Sequence, residues 1–195
     1  NFIIVIAASV VIFFTLFAKE TILILAGENY VASIIPLQIV AWALILSAIT
    51  NILGIQILLP LKQDKQLLFS VLCAATVDVI ANFLLVPKLA AVGTALSVIA
   101  AELSVLIVQM IILRQYIKIL FSGLQLHKII IALLIAIACA LFVREFVGNT
   151  STLIIFLCSS SVFFLAYFII LLLLKEKFIM YVYHTIYTKF ISNRR

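Results

Sequence analysis

Two long apolar runs follow one another in residues 66–113, QLLFSVLCAATVDVIANFLLVPKLAAVGTALSVIAAELSVLIVQMIIL, and each contains a single acid. Asp78 interrupts the first run and Glu102 interrupts the second. Each run is long enough to cross a bilayer, which takes roughly 20 apolar residues per helix. Neither run alternates polar and apolar residues as the strands of a membrane barrel do. The stretch therefore predicts two adjacent transmembrane helices joined by a short turn after Pro87.

The whole chain has the composition of a membrane protein. Of its 195 residues, 67% are hydrophobic and 10% are charged, against about 25% charged residues in soluble domains. Too few polar residues remain to cover a water-soluble domain, and the apolar content excludes a disordered chain. The three cysteines lie inside apolar runs, which excludes a disulfide scaffold. The net charge of +6 is explained by the excess of Lys and Arg in the cytoplasmic loops of membrane proteins, so it does not indicate nucleic-acid binding.

Uncharged windows predict an all-α, polytopic transmembrane helix bundle. The six predicted spans are residues 1–18, 36–59, 66–87, 89–113, 129–143 and 146–174. We expect four helices of one bundle in 1–114, two additional helices in 115–174, and a cytoplasmic, amphipathic, basic tail in 175–195. Because Asn1 opens directly into an apolar run, without a charged segment or a cleavage site, we also expect a piece of a longer protein.

The basic residues predict the orientation of these spans. Ten of the 13 Lys and Arg residues fall on the side that holds the chain start, and three fall on the other side. The ten are Lys62, Lys65, Arg114, Lys118, Lys128, Lys175, Lys177, Lys189, Arg194 and Arg195. Short loops rich in Lys and Arg stay in the cytoplasm, so both ends of the chain are expected to be cytoplasmic.

The two acids inside the spans are the strongest functional candidates. A carboxylate at the bilayer centre costs about 2.5–3.5 kcal/mol on insertion scales, so such a group faces protein or water and marks a functional site. Asp78 lies roughly 18 Å along its helix from Gln66, near mid-membrane, and Asn82 follows one turn later on the same face. Acids of this kind carry a proton or bind a cation, so Asp78 and Glu102 are predicted to couple ion movement, with Asn82 beside Asp78.

A second set of polar residues predicts close helix packing. The set comprises Ser47, Thr50, Asn51 and Gln109, which we interpret as a polar seam of interhelical hydrogen bonds. Small residues such as Gly93 and Ser97 open the span that contains Glu102, and small residues let helix backbones approach closely in lipid. The residues contain no Ser-His-Asp arrangement, no Cys/His cluster with metal spacing and no glycine-rich phosphate loop. No enzymatic activity is therefore expected.

Residues 25–114 resemble the polysaccharide flippases of the MOP superfamily (multidrug, oligosaccharidyl-lipid and polysaccharide exporters). The resemblance rests on AGENY at 26–30, on IQILLPLKQDKQ at 55–66, and above all on DVIANFLLVPKLAAVGTALSVIAAE at 78–102. The last segment carries two polar residues one turn apart, a turn with proline, a glycine followed by small residues, and an acid in the next span. This pattern covers about half of the chain.

The resemblance implies the C-terminal portion of a MOP or MATE-like transporter. Its spans would be helices nine to fourteen of the family fold, and the N-terminal bundle would be missing. Such proteins flip undecaprenyl-linked oligosaccharide across the bacterial cytoplasmic membrane for the biosynthesis of polysaccharides such as O-antigen or capsule. The implied partners are membrane lipids, undecaprenyl-diphosphate oligosaccharide and the missing N-terminal bundle, with no cofactor other than Na⁺ or H⁺ as the coupling ion.

The resemblance also implies an ion site. Related lipid II flippases hold sodium partly by an Asn/Asp pair one turn apart in the eleventh helix, with a contribution from the start of the twelfth. Asp78 and Asn82 occupy the positions of the pair with the residue types exchanged, and Thr94 lies near the second contribution. Sodium at Asp78 and Asn82 is therefore expected.

Two alternatives stay open. A drug/cation antiporter of the same superfamily would share the fold and use Asp78 or Glu102 as its proton or sodium carrier. A small, complete membrane protein that acts as a scaffold without transporting anything would share the composition. An intramembrane enzyme such as a glycan polymerase needs larger polar loops than this chain has.

Overall fold

A computed structural model describes residues 2–115, 125–147 and 151–175, and these ranges form helices and no strands. The seven α-helices are α1 (Phe2–Leu16), α2 (Ala18–Leu25), α3 (Ile34–Asn51), α4 (Asp64–Leu89), α5 (Ala91–Ile112), α6 (Leu126–Phe146) and α7 (Thr152–Leu173). The predicted basic tail, beyond its first residue Lys175, lies outside the described residues.

Within the described residues, five helical segments are long and apolar enough to cross a membrane, which makes the chain a multi-pass membrane protein. They are Glu28–Leu58, Asp64–Leu89, Ala91–Ile112, Leu126–Phe146 and Thr152–Leu173. Only 11–22% of each apolar window is buried inside the protein. Most apolar side chains therefore point outward, as in helices whose surroundings are lipid. The predicted all-α polytopic bundle is confirmed.

The first predicted span, residues 1–18, ends at a bend. Its helix α1 stops at Leu16, and after Phe17 the chain continues into α2 with a bend of 75°. Alone, the 15 residues of α1 reach only about 22 Å, less than the ~30 Å of a hydrocarbon core. A sixth span exists only if the bent pair counts as one. At the break, the side-chain amide of Gln38 on α3 donates to the carbonyl of Thr15 at 2.8 Å and so satisfies a helix-end acceptor.

The second span changes its helix type along its length. A 3₁₀ turn at Glu28–Ser33 leads into α3, and α3 continues into a π-helix at Ile52–Leu58. Two hydrogen bonds at the end of this segment also join residues five apart. The Leu59 N–H donates to the Gly54 carbonyl and the Gln63 N–H donates to the Leu58 carbonyl, both at 3.0 Å. π-Helices are rare in proteins, and those that occur often lie near functional sites.

The α4 and α5 helices form a tight hairpin. The turn between them consists of Ala90, whose φ of 47° lies in the left-handed region. Gly93 then comes so close to α4 that a Cβ added to it would lie 2.6 Å from the Leu85 carbonyl oxygen. Only a residue without a side chain fits this approach, which gives the predicted role of the small residues a geometric basis.

By its internal contacts the chain divides into two units, one of Ile6–Gly123 and one of Asn1–Val5 with Leu124–Arg195. In the first unit, α5 packs against both α3 and α4. In the second unit, α6 packs against α7 through faces of residues spaced by four. The buried residues of these faces are Ala132, Ala136, Ala140, Ser159, Phe163, Tyr167 and Leu171. The Tyr167 hydroxyl donates to the Val5 carbonyl at 2.9 Å.

Candidate functional site

Glu102, in the middle of α5, accepts hydrogen bonds from two hydroxyls of α3. The Ser47 hydroxyl donates to Oε1 at 2.9 Å, and the Thr50 hydroxyl lies 3.2 Å from Oε2. Ser47 and Thr50 stand three residues apart, so α3 presents both hydroxyls on one face. Each carboxylate oxygen therefore has one hydroxyl donor. We call this group of three residues the α3–α5 clasp.

Asp78, in the middle of α4, has its partner on its own helix. The Nδ2 group of Asn82 donates to Asp78 Oδ1 at 3.0 Å and also to the Asp78 carbonyl at 2.9 Å. The spacing of four residues places the two side chains one above the other, as the sequence predicts. Both side chains are half-buried. The neutral amide restrains one carboxylate oxygen of Asp78 and brings no opposite charge to it.

Two grooves contain Asp78, and one of them also contains Glu102. The first, the Glu102 groove, has a volume of about 260 Å³ between α4 and α5, and alanines and valines line it around Asp78 and Glu102. The second, the Asn82 groove, has a volume of about 520 Å³ and is lined by apolar side chains around Asp78, Asn82 and Thr94. Among the described residues that line the two grooves, none is Lys or Arg.

A separate polar contact lies near the C-terminal end of α5. Gln109 is 2% exposed, and its Nε2 group lies 3.4 Å from the hydroxyl of the fully buried Ser70 on α4. The Ser70 hydroxyl itself donates to the Leu67 carbonyl at 2.7 Å. The other amide atom of Gln109, Oε1, is buried and has no hydrogen-bond donor among the described residues. Gly54 of the π-helix lies directly beside the Gln109 side chain, since a Cβ added to Gly54 would lie 3.0 Å from Gln109 Nε2.

The predicted site residues therefore fall into three groups. Four of the candidates for ion coupling share the two grooves, and Asp78 lines both grooves. Ser47 and Thr50 of the predicted seam bind Glu102. The other two members of the seam do not join them: Asn51 is exposed and its amide donates to the carbonyl of Ser47 at 2.9 Å, while Gln109 contacts Ser70.

Two further residues with structural hydrogen bonds, Ser70 and Gln38, lie outside the predicted set. Ser70 stands eight residues before Asp78, so a spacing of four through Ala74 places it on the same face of α4. Gln38 lies in the first turns of α3, and this position is the only feature of the sequence that sets it apart from other glutamines. Among the described residues, no group of three or more His, Cys, Asp or Glu side chains could hold a metal ion.

No protein-family model matches this sequence, and neither a curated protein nor a solved structure matches it.

Proposed function

We propose that this chain belongs to an ion-coupled transporter that flips undecaprenyl-linked oligosaccharide across the bacterial cytoplasmic membrane, with both ends of the chain cytoplasmic. The observation that carries the proposal is the pair Asp78 and Glu102, which come from adjacent spans and line one groove. The glycan substrate rests on the resemblance of residues 25–114 to the polysaccharide flippases. The proposal assigns no catalytic role to the chain.

The cost of the two acids supports a role in ion coupling. Each carboxylate in a span costs about 2.5–3.5 kcal/mol, which a purely structural helix would avoid with an apolar residue. In the part of the chain that the structure describes, neither groove is lined by a Lys or Arg that would neutralise the charge. A cation that enters the groove would supply that neutralisation, so binding of the cation and the conformation of the bundle are linked.

The residues around Asp78 fit a hard cation such as Na⁺. Carboxylate, amide and hydroxyl oxygens are the ligands that such ions prefer, and Asp78, Asn82 and Thr94 supply one of each along the Asn82 groove. In the present arrangement Asn82 turns its nitrogen, not its oxygen, toward Asp78. Joint binding of one ion therefore requires the Asn82 amide to rotate by a half turn. A proton would need only Asp78.

The test is transport by the intact protein in proteoliposomes with fluorescent undecaprenyl-diphosphate-linked oligosaccharide. Asp78→Asn should abolish stimulation of flipping by an Na⁺ or H⁺ gradient and leave membrane insertion normal, because it removes the charge at nearly constant volume. Asp64→Asn is the matched control, since Asp64 is an exposed acid at the first residue of the same helix. Unchanged gradient dependence in Asp78→Asn would overturn the proposal.

A drug/cation antiporter is the second candidate, and the acidic lining of both grooves favours it. Two acids without a base suit a cationic substrate better than a diphosphate, so a flippase must bind the diphosphate with residues elsewhere. Uptake of tetraphenylphosphonium by the same proteoliposomes distinguishes the two candidates. Uptake that depends on Asp78, without flipping of the lipid-linked glycan, would establish the antiporter in place of the flippase.

A further inference from the structure

The α3–α5 clasp holds a carboxylate that faces in two directions. Glu102 receives its hydroxyl donors from α3, and it also lines the groove that it shares with Asp78 of α4. The groups that face Glu102 are thus two neutral hydroxyls from one helix and one acid from another. Glu102 is satisfied on α3 without a cation, whereas a cation near Asp78 would attract it into the groove.

The Thr50 hydroxyl has a second acceptor. It lies 3.2 Å from Glu102 Oε2 and 3.1 Å from the carbonyl of Ser47, so its single proton can serve either oxygen. Thr50 is buried, at 7% exposure. A buried hydroxyl that lost its only acceptor would be left unsatisfied, which is unfavourable. Here the hydroxyl can release Glu102 and keep a hydrogen bond to its own helix.

We propose that Ser47 and Thr50 are positioning residues that hold Glu102 against α3 and keep it away from a cation bound at Asp78. Glu102 already lines the groove, but its oxygens are bound to the α3 hydroxyls; when the clasp opens, they become free to bind the cation beside Asp78, and α5 loses these hydrogen bonds to α3. The occupancy of the ion site then controls how α3 packs on α5. This inference rests on the proposed ion coupling and names the residues that regulate it.

The experiment compares the intact wild-type protein with the double variant Ser47→Ala/Thr50→Val in the proteoliposome assay. The measured quantities are the maximal rate of flipping and the half-saturating concentration of the cation that drives wild-type transport, Na⁺ or H⁺. Without the hydroxyls, Glu102 is free to join Asp78, so the half-saturating concentration should fall about tenfold, equivalent to ~1.4 kcal/mol. The maximal rate should fall as well, because a cation held by two carboxylates is released more slowly.

Two controls separate positioning from simple structural support. Thr76→Val removes a hydroxyl that bonds only within α4, to the Leu72 carbonyl at 2.9 Å, and should change neither quantity. Thr50→Ser keeps a hydroxyl and should restore wild-type behaviour at that position. If the double variant does not fold, Ser47→Ala alone should lower the half-saturating concentration by about threefold, half of the free-energy change.

An unchanged half-saturating concentration in a folded clasp variant would overturn the inference while leaving the proposed function intact. A variant that loses only thermal stability would do the same, since this is the result of a purely structural hydrogen bond. Wild-type flipping that ignores both Na⁺ and H⁺ would refute the proposed ion coupling, and the role of the clasp with it. A tighter apparent affinity with slower turnover supports both.

Discussion

Replacement of Gly93 by alanine tests the close approach of α5 to α4 beside their connecting turn. A Cβ at this position would lie 2.6 Å from the Leu85 carbonyl oxygen, 2.7 Å from its carbonyl carbon and 2.9 Å from the Val86 nitrogen. All three atoms belong to the backbone of α4, so no side-chain rotation can make room. The last turn of α4 and the first turn of α5 must therefore move apart.

The size of the effect follows from these distances. Ordinary contacts of a Cβ begin at 3.4 Å, so the carbonyl oxygen of Leu85 has to retreat by about 0.8 Å. Overpacking of this kind costs about 1–3 kcal/mol, and a rigid backbone neighbour places Gly93→Ala at the upper end. For a chain of this length, about 3 kcal/mol lowers the melting temperature by roughly 6–12 °C.

Thermal unfolding of the purified protein in detergent measures the change. The helical circular dichroism signal and the fluorescence of Trp42, the single tryptophan, report on unfolding independently. Thr94→Ala is the control, because it alters the next residue, whose side chain is exposed, and should shift stability by less than about 0.5 kcal/mol. A melting temperature for Gly93→Ala within about 1 °C of wild type would show that the two helices are not this close.

Two further substitutions test the packing around the π-helix by the same unfolding measurement. Gly54→Ala should cost less than Gly93→Ala, about 1 kcal/mol, because its new Cβ meets the ends of flexible side chains, Leu67 Cδ1 at 2.8 Å and Gln109 Nε2 at 3.0 Å; a larger loss than that of Gly93→Ala would contradict this. Gln109→Leu should leave stability within about 1 kcal/mol of wild type or raise it, since it removes a buried acceptor without a donor. A loss above about 2 kcal/mol would mean that the amide has a partner, such as a buried water.

The sequence predicts the long spans because the thickness of the bilayer sets their length. The runs around Asp78 and Glu102 become α4 and α5 with ends close to the expected residues. The bend at Phe17 is not predictable in this way, since apolar composition reports the surroundings of a helix and not its straightness. No proline or glycine marks that position. The π-helix is equally invisible, because its residues are as apolar as those of α3.

The candidate site also has one part that the sequence predicts and one part that it does not. Residues four apart on one helix are neighbours, so the pair Asp78 and Asn82 follows from spacing alone. The clasp does not, because Ser47 and Glu102 are 55 residues apart in the chain and meet only since α3 packs on α5. Periodicity identifies which face of a helix is polar, whereas the identity of the facing helix depends on tertiary packing.

Because of the π-helix at Ile52–Leu58, the number of residues in this span determines which way its last turn faces. Hydrogen bonds in a π-helix join residues five apart, so each of its turns holds more residues than the 3.6 of an α-helix. The segment carries exposed amides at its start, Asn51, and within it, Gln56. Deletion of a single residue within this segment would act as a rotation: the turn from Leu59 to Gln63 would keep its sequence but face a different direction at the membrane surface.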